Sequence, residues 1–260
     1  MMLSVATLTF PAWRPHLSFL GDASSNELMA VRWLHFIFGI TWIGLLYFFN
    51  LVAVPSMRQL EAGVRVKVYP VLMSRAMAWF RWSALVTVIL GLRYFFKLLL
   101  LDARDSGQPE LAMRWFGSWL LVWLVAYSGI YRLQLPAKGW LDSVWTRTMG
   151  IVVVVVGAAW LVLALNGGPV VSNTHLAISV GGGLGLVMLL NTWGVVWRVQ
   201  KKVIAWTRAA AEQGTPLPPE TDRMMRWGFI TARVSLWLSF PMLFFMAAAS
   251  HYPFLSTVRR

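Results

Sequence analysis

Residues 28–54 read LMAVRWLHFIFGITWIGLLYFFNLVAV, a run with one cation (Arg32) and no acid. About 20 residues of this kind cross the hydrocarbon core of a bilayer, which is roughly 30 Å thick. Five further runs have the same character: Trp82–Leu101, Trp115–Leu135, Thr148–Leu165, His175–Trp197 and Trp227–Ser250. None alternates apolar and polar residues as a barrel strand does, and in lipid only helices or closed barrels satisfy the backbone. The sequence therefore predicts an all-α integral membrane protein. Residues 28–260 form a six-helix transmembrane bundle, and residues 1–27 lie along the outer interface before the first helix. Pro11, Arg14 and Pro15 interrupt the apolar character of that first segment and argue against a signal peptide.

Composition agrees with immersion in lipid. Hydrophobic residues make up 58% of the 260 and charged ones 13%, about half the charged share of an ordinary soluble domain. Many of the sixteen tryptophans fall near run ends, as in the aromatic belts of membrane interfaces. The formal charge of +13 is distributed by side. Fourteen Lys and Arg residues fall in the loops after the first, third and fifth runs, against seven on the opposite side, where acids dilute them. By the positive-inside rule those three loops are cytoplasmic and both termini periplasmic, in a bacterial inner membrane. The surplus reads as a topology and anionic-lipid feature, not a nucleic-acid footprint.

With no cysteine, the chain makes no disulfide, no cysteine-ligated cluster and no covalent c-type haem link. No Asp or Glu falls inside any run, which counts against a proton-driven transporter. The imidazoles are what remains. His35 lies two turns into the first run, followed by Gly39 and Gly44; His175 opens the fifth, followed by Gly181, Gly182, Gly183 and Gly185; His251 ends the sixth. Odd-numbered helices share a direction, so all three fall toward the outer leaflet. A histidine in hydrocarbon is costly unless it pairs or binds something. The chemistry this suggests is a haem b with His35 and His175 as axial ligands and His251 close by. Copper at a histidine site ranks below it, because no H-x-H or H-x₃-H spacing occurs. Arg93, near the outer end of the second run, is a candidate partner for a haem propionate.

A weak internal duplication also shows. Asn50 follows His35 by fifteen residues and Asn191 follows His175 by sixteen. Each is followed in turn by a helix opening on an Arg-Trp pair, Phe80-Arg81-Trp82 and Met225-Arg226-Trp227.

Several segments resemble the PuuD-type membrane-bound urate hydroxylases. They are Arg32-Trp33-Leu34-His35 with Gly39 to Gly44; Phe80-Arg81-Trp82 through Gly91; His175 with its glycines, Asn191 and Gln200-Lys201-Lys202; and Ser250-His251-Tyr252-Pro253-Phe254. The first helix is also faintly similar to HemJ-type haem proteins. The resemblance implies a haem-bearing membrane domain that passes electrons outward to a cytochrome c domain, and urate as substrate. No such domain occurs in these 260 residues. Ser83 stands where the family pattern has Glu, and Val234-Ser235-Leu236 where it has His-Asn-Asn, which speaks against urate chemistry. The expected function is membrane electron transfer by a haem b protein, with lipid, other membrane subunits or a periplasmic electron carrier as partners. The alternative is a non-catalytic accessory subunit of a larger respiratory or metal-oxidising complex.

Overall fold

The computed structural model describes residues 22–135 and 143–256. Most of the expected interfacial segment 1–27, and His16 within it, lies outside the described residues; Ala23–Glu27 already belong to the first helix. The described residues form six helical rods: α1 (Ala23–Gln59), α2 (Ala62–Asp105), α3 (Leu111–Gln134), α4 (Val144–Asn166), α5 (Asn173–Gln213) and α6 (Thr221–Ala248). Among the described residues there are no strands. All rods except α3 are long and apolar enough to cross a bilayer. At 24 residues, about 36 Å, α3 has the length but takes much of its apolar surface from Trp and Tyr. The protein is an all-α membrane bundle.

Two segments expected as cytoplasmic loops are largely helical. Residues 55–79 continue α1 to Gln59 and, after a break at Leu60 and Glu61, open α2; residues 207–213 prolong α5. The α2 and α5 shafts carry buried residues into these stretches, while Val64, Val68 and Val71 of α2 are exposed. Tyr69, Met73 and Met77 on α2 are buried, as are Val199 and Val203 on α5. A buried stripe of this kind holds a helix beyond the stretch that is apolar all round. Gly214, at φ +66°, ends α5, and a Pro-rich connector leads to α6.

The rods pair in sequence, α1 on α2, α3 on α4, and α5 on α6. The first half of α5 is the centre of the bundle and touches α2, α3, α4 and α6. Its glycines make this possible. A Cβ on Gly183 would fall inside the Trp123 indole, and one on Gly181 would lie 3.0 Å from Phe245 Cβ. Trp119 and Trp123 of α3 both donate their indole N–H to the Ser179 carbonyl, at 2.8 and 3.1 Å. Small residues that let helices approach, with polar groups joining them, are how membrane helices associate.

Both α1 and α5 contain a π segment, Phe48–Ala53 and Thr192–Val196. Asn50 lies inside the first and Asn191 directly precedes the second. Side chains bond carbonyls around both. Asn50 Nδ2 donates to the Leu46 carbonyl (2.9 Å), Thr192 Oγ1 to that of Met188 (2.9 Å) and the Tyr127 hydroxyl to that of Leu190 (3.2 Å). The asparagines also reach across to α6, Asn50 to the Ala232 carbonyl at 3.4 Å and Asn191 to Ser235 Oγ at 3.1 Å.

Candidate functional site

A cavity of about 480 Å³ opens between α1, α2, α5 and α6. That is within the size range of cofactor and ligand sites. His35 lines it, and the wall is otherwise mainly apolar, with Trp42, Phe95, Met242 and Met246. Five glycines from three helices, Gly39, Gly44, Gly91, Gly182 and Gly185, keep side chains off the wall. Arg32, one turn outward of His35 on the same face, is its charged member.

His35 is held by α2. Its Nδ1 lies 2.8 Å from the Thr87 carbonyl oxygen. A carbonyl only accepts, so Nδ1 carries the proton and donates, and Nε2 keeps its lone pair. This is how ligating histidines are oriented in metal sites, through a backbone acceptor on the far nitrogen. The seat is cut for the ring: a Cβ on Gly91 would stand 2.9 Å from His35 Cε1 and 3.3 Å from Nδ1.

His175 is placed differently. It is fully buried and does not line the cavity, although Phe95, which does, packs edge-on against it with ring centroids 6.0 Å apart. Trp115 closes against the ring as well, at 5.1 Å. His175 Nδ1 lies 3.1 Å from Asp102 Oδ2, and Asp102 is itself fully buried at the end of α2. The same oxygen accepts from the Ser172 backbone N–H (3.0 Å) and hydroxyl (2.8 Å). Ser172 caps α5 by accepting from the His175 N–H, and the Asp102 carboxylate holds Ser172 at that helix end, where the dipole favours negative charge. The neighbouring residues tie the same end to α6: Asn173 Nδ2 donates to the carbonyls of Ala249 and Tyr252, and Thr174 Oγ1 to that of Ala249. His175 Nε2 finds no hydrogen-bond partner among the described residues.

His251 sits exposed in the turn after α6 and does not line the cavity. The three histidines expected to converge therefore occupy a cavity wall, a buried polar knot and an open turn. Arg93 forms an ion pair with Glu27 at 2.6 Å, both side chains being over two-fifths exposed. Such a surface pair contributes about 0–1 kcal/mol. Among the described residues no three His, Cys, Asp or Glu side chains gather as a metal site. Ser83, buried and donating to the Trp79 carbonyl at 2.6 Å, lines neither this cavity nor the second one described below.

Sequence reasoning passed over Thr87, Arg32, Ser172 and Asp102. For Arg32 the signal was available, three residues before His35 on one helical face. Asp102 reads from sequence as one of several acids at a helix end, and only the meeting of α2 with α5 singles it out. The chain matches no family model, no curated protein and no solved structure.

Proposed function

We propose that the His35 cavity holds a haem b and that the protein is a membrane electron carrier. The observation that carries this reading is the seat of His35: Nδ1–H given to the Thr87 carbonyl, Nε2 left basic, and Gly91 relieving the ring's approach. The glycine-lined apolar wall suits a flat macrocycle. The donor set supports a haem over bare copper, because a porphyrin brings four nitrogens of its own and needs only axial ligands from the protein.

In this reading His35 would hold the haem through its free ring nitrogen. Met242 and Met246 on α6 line the same cavity and would offer thioether sulfurs to the group. Arg32, rather than the Glu27-paired Arg93, is the cation available to a propionate. Bound there, a haem supplies one-electron redox chemistry. The chain's own residues orient the ligating imidazole, exclude water with Trp42 and Phe95, and hold counter-charge near the outer end. His175 with Asp102 fastens α2 to α5 beside the cavity. The electron partner would be a periplasmic carrier or a neighbouring membrane subunit in a bacterial inner membrane.

The test is an absorption spectrum and metal analysis of the purified protein. A Soret band with about one iron per chain, lost in His35→Ala, is expected. A colourless protein without iron overturns the proposal. A colourless protein purified with stoichiometric partners replaces it with the accessory-subunit reading.

A further inference from the structure

A second cavity, about 470 Å³, opens at the basic end of the bundle, opposite the His35 end of α1. Its composition is graded. The rim carries Arg58, Arg65 and Arg226, all exposed, while Phe49, Met73 and Met77 on the floor are buried. Residues 46 to 58 of α1 run along it, which at 1.5 Å per residue makes it about 18 Å deep. Asp222 is the one acid on the rim, so the charge facing the opening is net positive. None of the three arginines is in an ion pair among the described residues. Arg58 is steadied over the Phe229 ring, 5.4 Å from its centroid, which leaves its N–H groups for an anion.

We infer that this cavity is a binding site for an anionic phospholipid of the cytoplasmic leaflet. The phosphate lies among Arg58, Arg65 and Arg226, and an acyl chain runs down the apolar floor. Charge complementarity carries the argument. An anion is needed to balance three clustered guanidinium groups, and an apolar tail is needed to fill a floor that water wets poorly. A free inorganic anion meets only the first need and a zwitterionic lipid only the second. Basic pockets between membrane helices on the cytoplasmic side are where anionic headgroups are held. The inference does not depend on a haem in the other cavity.

Native mass spectrometry of the intact protein in neutral detergent tests it, with titration of phosphatidylglycerol, phosphatidylcholine of the same chains, and inorganic phosphate. One phosphatidylglycerol per chain is expected to bind in preference to phosphatidylcholine. The triple variant R58Q/R65Q/R226Q should lose about a hundredfold in affinity, given the weight of each cation near an anionic headgroup. The control R132Q/R198Q/R208Q removes the same charge outside the cavity and should change affinity less than twofold. Ala53→Leu, which intrudes on the floor, should weaken lipid binding while leaving the rim intact. Equal losses in the two triple variants reduce the effect to bulk charge and overturn the proposal. Phosphatidylcholine binding as tightly as phosphatidylglycerol overturns it too. Inorganic phosphate competing at equal concentration assigns the rim to a free anion and overturns the lipid.

Discussion

His35 and His175 both give their Nδ1 proton to an oxygen, but the surroundings steer them to different work. At His35 the acceptor is the carbonyl of a neighbouring helix and the ring stands on a cavity wall. At His175 the acceptor is the Asp102 carboxylate and the ring is enclosed by Phe95 and Trp115. His175→Ala removes a packed ring and one partner of a buried carboxylate, so its expected cost is about 3 kcal/mol. Thermal unfolding in detergent measures it. The folded fraction should keep the absorption spectrum that His35→Ala abolishes, and loss of the spectrum in both variants would return His175 to the ligand set. The sequence made both residues visible as imidazoles in apolar runs. It could not separate them, because the separating atoms belong to α2, 52 and 73 residues away in the chain.

At the level of elements, the glycines of α5 divide in the same manner. Gly183 is required by Trp123 packing, whereas Gly185 has nothing within 4 Å of an added Cβ and faces the cavity. Gly183→Ala forces α3 off α5 and should cost about 1–3 kcal/mol, the usual range for overpacking. Gly185→Ala should leave the unfolding midpoint unchanged or raise it, since alanine is the better helix former, while reducing haem per chain. The two measurements together separate fold from site. At the start of α1, Asp22 caps the helix by accepting from the Ser25 N–H at 2.9 Å, and the bonds from Ser25 lower its pKa from 3.8. Because the folded value is the depressed one, the cap is in place above about pH 4 and is lost as pH falls through the folded pKa. A lower protection factor at the Ser25 amide in acid, after correction for the intrinsic exchange rate, checks this. Helix existence was readable from apolar runs. Helix length was not, because the added turns of α2 are held by packing against the second half of α5, a rod distant in sequence.

On the scale of the whole molecule, α4 faces outward with Trp145, Val153, Val156 and Trp160 exposed. Such a surface suits acyl chains and not water. The positive-inside rule predicts, from the distribution of Lys and Arg, that the connector between α2 and α3 is on the outer side and the one between α5 and α6 in the cytoplasm. Alkaline phosphatase inserted at Gln108 should therefore be active, and a fluorescent protein inserted at Gly214 should be bright. The reverse pattern would invert the bundle, placing both the His35 cavity and the arginine-rimmed cavity in the wrong leaflets. Six helices and their order were legible from hydropathy alone, whereas the two cavities arise from contacts among rods distant in sequence.

The π segment Thr192–Val196 acts as a phase shifter. One surplus residue in the winding sets the angular position of everything from Trp197 to Gln213, including Trp197 under the Arg81 guanidinium (3.8 Å) and Gln200 beside the Tyr69 hydroxyl (2.5 Å). Deleting Gly194 should restore regular winding and swing that shaft by about 100°, turning those partners toward solvent. A fall in cysteine-crosslinking yield between positions 69 and 200 would register the swing.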